Sequence, residues 1–326
     1  MTAPSDRPRT FFPVSLELLE VGQLLPCDIW LKHGDAEPVL YRASRLPFEA
    51  EHKRRLIESG VQSVWISFGD AESWNDHLAR QLRTRVRDPS IPLPERMRIM
   101  VHSARDLMRT IVENPRAPGV KDQVDAVSES IAELIDGPEA LAAAVRLMEH
   151  DYYTYTHSLH VAIYATSLAR DIGISDTDDL RSIGRGALMH DCGKCGLPAS
   201  LLNKAGTLTR EEWELIKTHP VRGVEVLTES GWTDSLAIEI CQAHHERLDG
   251  SGYPQGRTAP SIPPEVRIVS ISDAFDAMTT DRSYQKARTG AEALRVLHVE
   301  GAQKYDQKLL QRFVRLMLDR ERASVR

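Results

Sequence analysis

No stretch of the chain approaches the roughly 18 consecutive apolar residues that a helix needs to cross a bilayer. The opening, Met1 to Thr10, is polar and proline-bearing, without the apolar segment of a secretory leader. Cysteine is scarce, and four in 326 residues do not make a disulfide framework. The expected compartment is the cytoplasm, with no membrane partner. A basic excess is missing as well. A formal charge of -6 argues against a general binder of DNA or RNA polymers, which would carry surplus Lys and Arg. Such a chain binds an anion only where bound cations or a few placed Lys and Arg reverse the field locally. Internal repeats and low-complexity tracts are also lacking.

What is present is a soluble globular composition, 41% hydrophobic and 27% charged, in a length that suggests two domains. Residues 11–70 read as a small, mixed and β-rich domain. Pro13-Val14-Ser15-Leu16, Asp28-Ile29-Trp30-Leu31 and Pro38-Val39-Leu40-Tyr41 are short apolar runs broken by turn formers. A helix from Phe48 to Ser59 stops at Gly60, and Val61 to Ser67 alternates as a strand does. Residues 71–119 read as a helical linker, interrupted by the proline cluster from Asp88 to Pro94 and ended by Asn114 to Gly119. From Val120 onward nearly every segment has helical periodicity, so 120–326 is expected to be an all-α domain.

The informative feature of that domain is its histidine and aspartate. His157, the pair His190-Asp191, His219, the pair His244-His245 and Asp273 each fall on or at the end of an apolar helix. Imidazole and carboxylate form the ligand set of iron, manganese, zinc or nickel centres. An adjacent His-Asp pair suits two metals, one ligand holding an ion and the other bridging. The remaining histidines, His160 among them, read as ordinary core or surface residues. Behind His244-His245-Glu246 comes Asp249-Gly250-Ser251-Gly252-Tyr253-Pro254-Gln255-Gly256, whose glycines and proline force a compact loop. Following a ligand pair, it reads as the rim of an active site.

These segments resemble the HD-GYP family of cyclic di-GMP phosphodiesterases. His190-Asp191-Cys192-Gly193-Lys194 looks like the HD signature, and the run from His244 to Pro254 looks like the GYP signature almost in full. Lys204 to Thr209, Lys217 to Gly223 and Ile271 to Thr279 match the family's pattern in the same order. The resemblance implies a mainly α protein, a helical-bundle HD-GYP domain preceded by a small mixed α/β accessory domain. It implies metal ligands at His157, His190, Asp191, His219, His244, His245 and Asp273. Lys194 would meet the scissile phosphate, Arg282 another phosphate oxygen, and Tyr253 the substrate rim. Tyr153 stands where family members with three metals carry Glu, which implies two divalent ions, iron by the resemblance with manganese as the other choice.

The function so implied is hydrolysis of cyclic di-GMP, or a related cyclic dinucleotide, to linear pGpG and/or GMP. Two metals about 3.5–4 Å apart would activate a bridging water, with Asp191 and Lys194 as the catalytic groups. Three departures stand out. Cys192 and Cys195 form a literal C-x-x-C, read as packing because a redox pair needs a strand-to-helix setting. The segment from Asp281 to Lys286 lacks the usual Pro after Arg282. Gln285 replaces a basic residue, leaving Lys286 to serve the second phosphate. The alternative is a catalytically weak sensor or scaffold acting through a protein partner. The N-terminal domain is the candidate dimerisation or signalling surface. A phosphohydrolase for dNTPs or alarmones would have no use for the segment from His244 to Pro254.

Overall fold

The structure, a computed structural model, describes residues 10–34, 36–149, 156–204, 206–280, 286–299 and 301–324. It is mainly helical with a small β-containing region near the N-terminus. The chain divides into two compact units, one of residues 1–81 with 117–123, the other of 82–116 with 124–326.

The first unit holds strands β1 (Phe11–Ser15), β2 (Gln23–Leu24), β3 (Ile29–Leu31), β4 (Val39–Arg42), β5 (Pro47–Phe48) and β6 (Ser63–Ser67), with helix α1 (Ala50–Glu58) between β5 and β6 in the chain. A four-stranded sheet has the order β1-β6-β3-β4, with β1 antiparallel to β6 and Val14 opposite Val64; β2 and β5 form a separate antiparallel pair. Alternation in β6 sends Val64 and Ile66 inward, where they join Leu19, Ile29, Phe48, Leu56 and Trp74 in one core. Trp74 comes from the start of helix α2 (Ala71–Arg87).

The second unit contains α3 (Leu93–Glu113), most of α4 (Val120–Leu134), α5 (Gly137–Glu149), α6 (His157–Asp171) and α7 (Thr177–Met189). It continues with α8 (Ala199–Leu202), α9 (Arg210–Ile216), α10 (His219–Glu229) and α11 (Ser235–Ala243). The last three are α12 (Pro264–Thr279), α13 (Gly290–Val299) and α14 (Gln307–Ser324). Helices α6 and α12 are buried along almost their whole length, Leu159 to Ala169 in one and Val266 to Phe275 in the other bearing many fully covered side chains. A helix apolar on every face belongs at the centre of a bundle, and α6 packs against α7 and α12 there, with α11 against α7. Asp176, Thr209 and Asp234 cap α7, α9 and α11 through side-chain oxygens, setting where those helices begin.

Between α7 and α8 the chain makes a short 3-10 turn, Cys192–Gly196, pressed against α10. Gly193 is obligatory in that turn. A Cβ there would overlap the carbonyl oxygen of His219 and the amide nitrogen of Gly223, both main-chain atoms that cannot step aside. Gly193→Ala should therefore cost at least the ~1–3 kcal/mol typical of overpacking, read as a lowered thermal midpoint. Unchanged stability would contradict the close approach of the turn to α10.

Candidate metal centre

Helix ends position every histidine of the cluster. His157 opens α6 and His219 opens α10, while His190 and His244 stand just past the last residues of α7 and α11. Asp191 and His245 follow directly, and Asp273 projects from α12. Helix ends leave carbonyls without intrahelical partners, and three of the rings use them. His190 Nδ1 donates to Ala187 O at 2.7 Å, His219 Nδ1 to Ile216 O at 2.8 Å and His244 Nδ1 to Cys241 O at 2.9 Å. A carbonyl only accepts, so the proton of each neutral ring is on Nδ1 and the Nε2 lone pair faces inward.

Those lone pairs converge. His219 Nε2 lies 3.2 Å from His244 Nε2 and 3.2 Å from Asp191 Oδ1. His190 Nε2 lies 3.4 Å from Asp191 Oδ2, and His157 Nε2 lies 3.3 Å from Asp273 Oδ1. His245 Nδ1 stands 3.7 Å from Asp273 Oδ2. Two sets of potential donor atoms result, Asp191 with His219, His244 and His245, and Asp191 with His157 and His190. Asp191 belongs to both.

Electrostatics favours the ligand forms of His244, His245, Asp191 and Asp273. Burial, reinforced by the neighbouring imidazoles, pushes His244 well below the usual histidine range. Burial does the same for His245, against the pull of Asp273. Burial alone would raise Asp191, but the Lys194 ammonium, 2.5 Å away, and His190 hold it well below the ordinary carboxylate range. Asp273 is likewise held down, against its burial, by the hydrogen bond with His157 and by the surrounding rings. Neutral imidazoles beside ionised carboxylates are what a divalent cation requires. Among the described residues, two buried ligand atoms, His190 Nε2 and Asp191 Oδ1, have no hydrogen-bond partner, and facing lone pairs repel unless a cation lies between them. The residues fit a metal site.

The family model for the HD domain matches residues 129–309. A cyclic di-GMP phosphodiesterase of Pseudomonas aeruginosa is 31% identical over 303 residues, covering 89% of this chain and 72% of that protein. The chain belongs to the HD domain family. HD-domain phosphohydrolases are metal-dependent enzymes, and the signatures at His190-Asp191 and His244 to Pro254 place this member in the HD-GYP branch. A 3'3'-cGAMP-specific phosphodiesterase 3 of Vibrio cholerae is 37% identical over 276 residues, which is 82% of this chain and 54% of that protein, so the chain spans about half of that relative's length. The solved structure of an HDG"Y"P protein from Bdellovibrio bacteriovorus has the same fold, with a TM-score of 0.65 over 94% of this chain and 99% of that one at 22% identity.

In this HD domain, Tyr253 packs its ring 4.6 Å from that of His245, and burial raises its phenol well above the usual range, so the hydroxyl remains a donor. The peptide bond between Tyr253 and Pro254 is cis. Lys286 is exposed on the stretch preceding α13. Arg282 and Tyr153 lie outside the described residues.

Three residues that sequence reasoning left unassigned, or read as ordinary, complete the site. Asp276, 1% exposed, accepts from His157 Nδ1 at 2.6 Å, and its other oxygen lies 2.8 Å from His160 Nδ1. His157 thus leans on a carboxylate where His190, His219 and His244 lean on carbonyls. The i, i+3 spacings His157/His160 and Asp273/Asp276 put each pair on one helix face, a signal within each helix but not between them. Glu246, 2% exposed, accepts from the amides of Gln255 at 2.7 Å and Arg257 at 2.8 Å, tying the loop of Tyr253 to the helix end that carries His244 and His245. Gly252 lets that loop fold back, since a Cβ there would lie 2.5 Å from His245 O.

Although burial opposes it, hydrogen bonds to Asp273 and Asp276 raise His157 to about 9 in the metal-free protein. A cation arriving at Nε2 must displace that proton. Affinity should therefore weaken as pH falls below about 9 and level off above it, with proton release measurable by calorimetry in buffers of different ionisation enthalpy. Asp276→Asn should lower the His157 pKa and diminish the release at pH 8. Release unchanged in that variant would contradict the assigned role of Asp276.

Proposed function

We propose that the protein is a cyclic-dinucleotide phosphodiesterase that opens cyclic di-GMP to linear pGpG and/or GMP at a two-metal centre. The observation that carries this reading is the sharing of Asp191 between two groups of histidines. One ion would be held by His157, His190 and Asp191, the other by Asp191, His219, His244 and His245, with Asp273 near both His157 and His245. Iron or manganese suits such a donor set. The relatives named above as acting on cyclic di-GMP and cGAMP support the substrate class.

When bound, divalent ions supply a water nucleophile at neutral pH and Lewis-acid screening of phosphoryl oxygens. The chain supplies the rest. Asp191 sets the spacing of the two positions. Lys194, paired with Asp191, is placed to neutralise charge that builds on a phosphoryl oxygen, a contribution that is often the largest in such sites. Tyr253 offers a hydroxyl donor and an apolar wall at the rim. Arg282 and Lys286 would take the second phosphate. This reading assigns catalysis to residues 120–326 and an accessory, partner-binding or dimerising role to 11–70.

Anaerobic purification, metal analysis and chromatography of products from cyclic di-GMP test the proposal. About two metals per chain with linear dinucleotide or GMP are expected. Asp191→Ala should lose metal and at least 1,000-fold of the activity together, on the order of the loss seen when a main electrostatic group is removed from an active site. Tight substrate binding by the metal-loaded protein without product would replace the enzyme by a sensor. An active, metal-replete Asp191→Ala protein would overturn the assignment of the centre.

A further inference from the structure

A cavity of about 630 Å³ is lined by Tyr253 and Pro254 of the rim loop, Gly193, two residues after Asp191, and Thr218, next to His219. That volume is within the range of small-molecule sites, about 300–1,000 Å³. Val221 and Val226 of α10 add apolar surface.

The charged groups in the lining differ in what they have left to offer. Lys217 is paired with Glu214 at 2.8 Å, and Arg116 with Glu229 at 2.6 Å. Arg222 and Glu225 also line the cavity, three residues apart on α10 and hence on one face of the helix. Among the described residues neither has an ion-pair partner. Arg222 Nη1 donates to Gly196 O at 3.0 Å, which fixes one arm of the guanidinium and leaves the others uncommitted. The cavity therefore presents an apolar wall, an uncommitted donor fork and an uncommitted carboxylate.

A flat ring that stacks on such a wall, accepts from an arginine and donates to a carboxylate is guanine. Its O6 and N7 accept from the fork, and its N1–H and N2 amino group donate to the acid. Adenine offers an amino donor where guanine has O6 and a lone pair where guanine has N1–H, so both contacts turn unfavourable. We propose that this cavity holds one guanine of the substrate, with Arg222 and Glu225 reading its edge and Tyr253 and Pro254 as the stacking wall. The inference rests on the reading of the protein as a cyclic-dinucleotide phosphodiesterase and adds the residues that read the base.

The test measures binding of GMP and AMP to metal-loaded protein by calorimetry, beside competitive hydrolysis of cyclic di-GMP and cyclic di-AMP. Wild type should bind GMP at least tenfold more tightly than AMP. Glu225→Gln and Arg222→Ala should each reduce that preference by about tenfold, within the range for loss of one base-edge contact. Among the described residues Glu225 has no partner to lose, so its variant separates base reading from any disturbance of the turn that Arg222 touches. A GMP preference that persists within twofold in both variants, or no preference in wild type, would overturn the cavity assignment. Cyclic di-GMP cleaved with unchanged base preference in both variants would also overturn it and leave the phosphodiesterase reading standing. A preference lost in the variants, without cleavage of any cyclic dinucleotide by wild type, would support the guanine cavity and reject the phosphodiesterase reading.

Discussion

The hydrogen bond from a histidine Nδ1 to a carbonyl at a helix end is the interaction on which the site depends. It occurs at Ala187, Ile216 and Cys241, at the ends of α7, α9 and α11. Each bond does two things at once. It satisfies a carbonyl that the helix cannot pair, and it commits one ring nitrogen as a donor so that the other faces inward as a base. The cluster needs no dedicated scaffold, because the ends of helices packed for apolar reasons hold the rings at the required angle.

His157 departs from this pattern. It opens α6, where free amides rather than free carbonyls are found, so it takes its acceptor from another helix, the buried Asp276 of α12. A carboxylate behind an imidazole makes the ring a stronger base than a carbonyl does. The price is a proton on Nε2 until a cation displaces it, whereas burial and the neighbouring positive groups keep His244 and His245 neutral. A similar economy governs the rim: one buried acid, Glu246, fixes two amides of the loop and thereby the ring of Tyr253 against His245.

Much of this was legible in the sequence. The helical periodicity after Val120, the alternation in Val61 to Ser67 and the signatures at His190-Asp191 and His244 to Pro254 are local patterns, visible because period and spacing reflect one element at a time. His160 and Asp276 were not legible as a pair. They are 116 residues apart, and nothing in either neighbourhood says that α6 and α12 pack with these faces together. Arg222 and Glu225 were hidden for a different reason: a charged residue on a helix is by default a solvated one, and only knowledge of which neighbours are already paired shows which charges remain.

By itself the sequence determined the family, the helical class and the residue types gathered for metal chemistry, because these follow from composition, periodicity and short motifs. Only the tertiary structure decided which nitrogen of each ring faces the centre, that Asp191 stands between two groups of histidines, and that Asp276 supports His157. Tautomer, the sharing of Asp191 and support depend on distances between helix ends remote in sequence, and packing alone sets those distances.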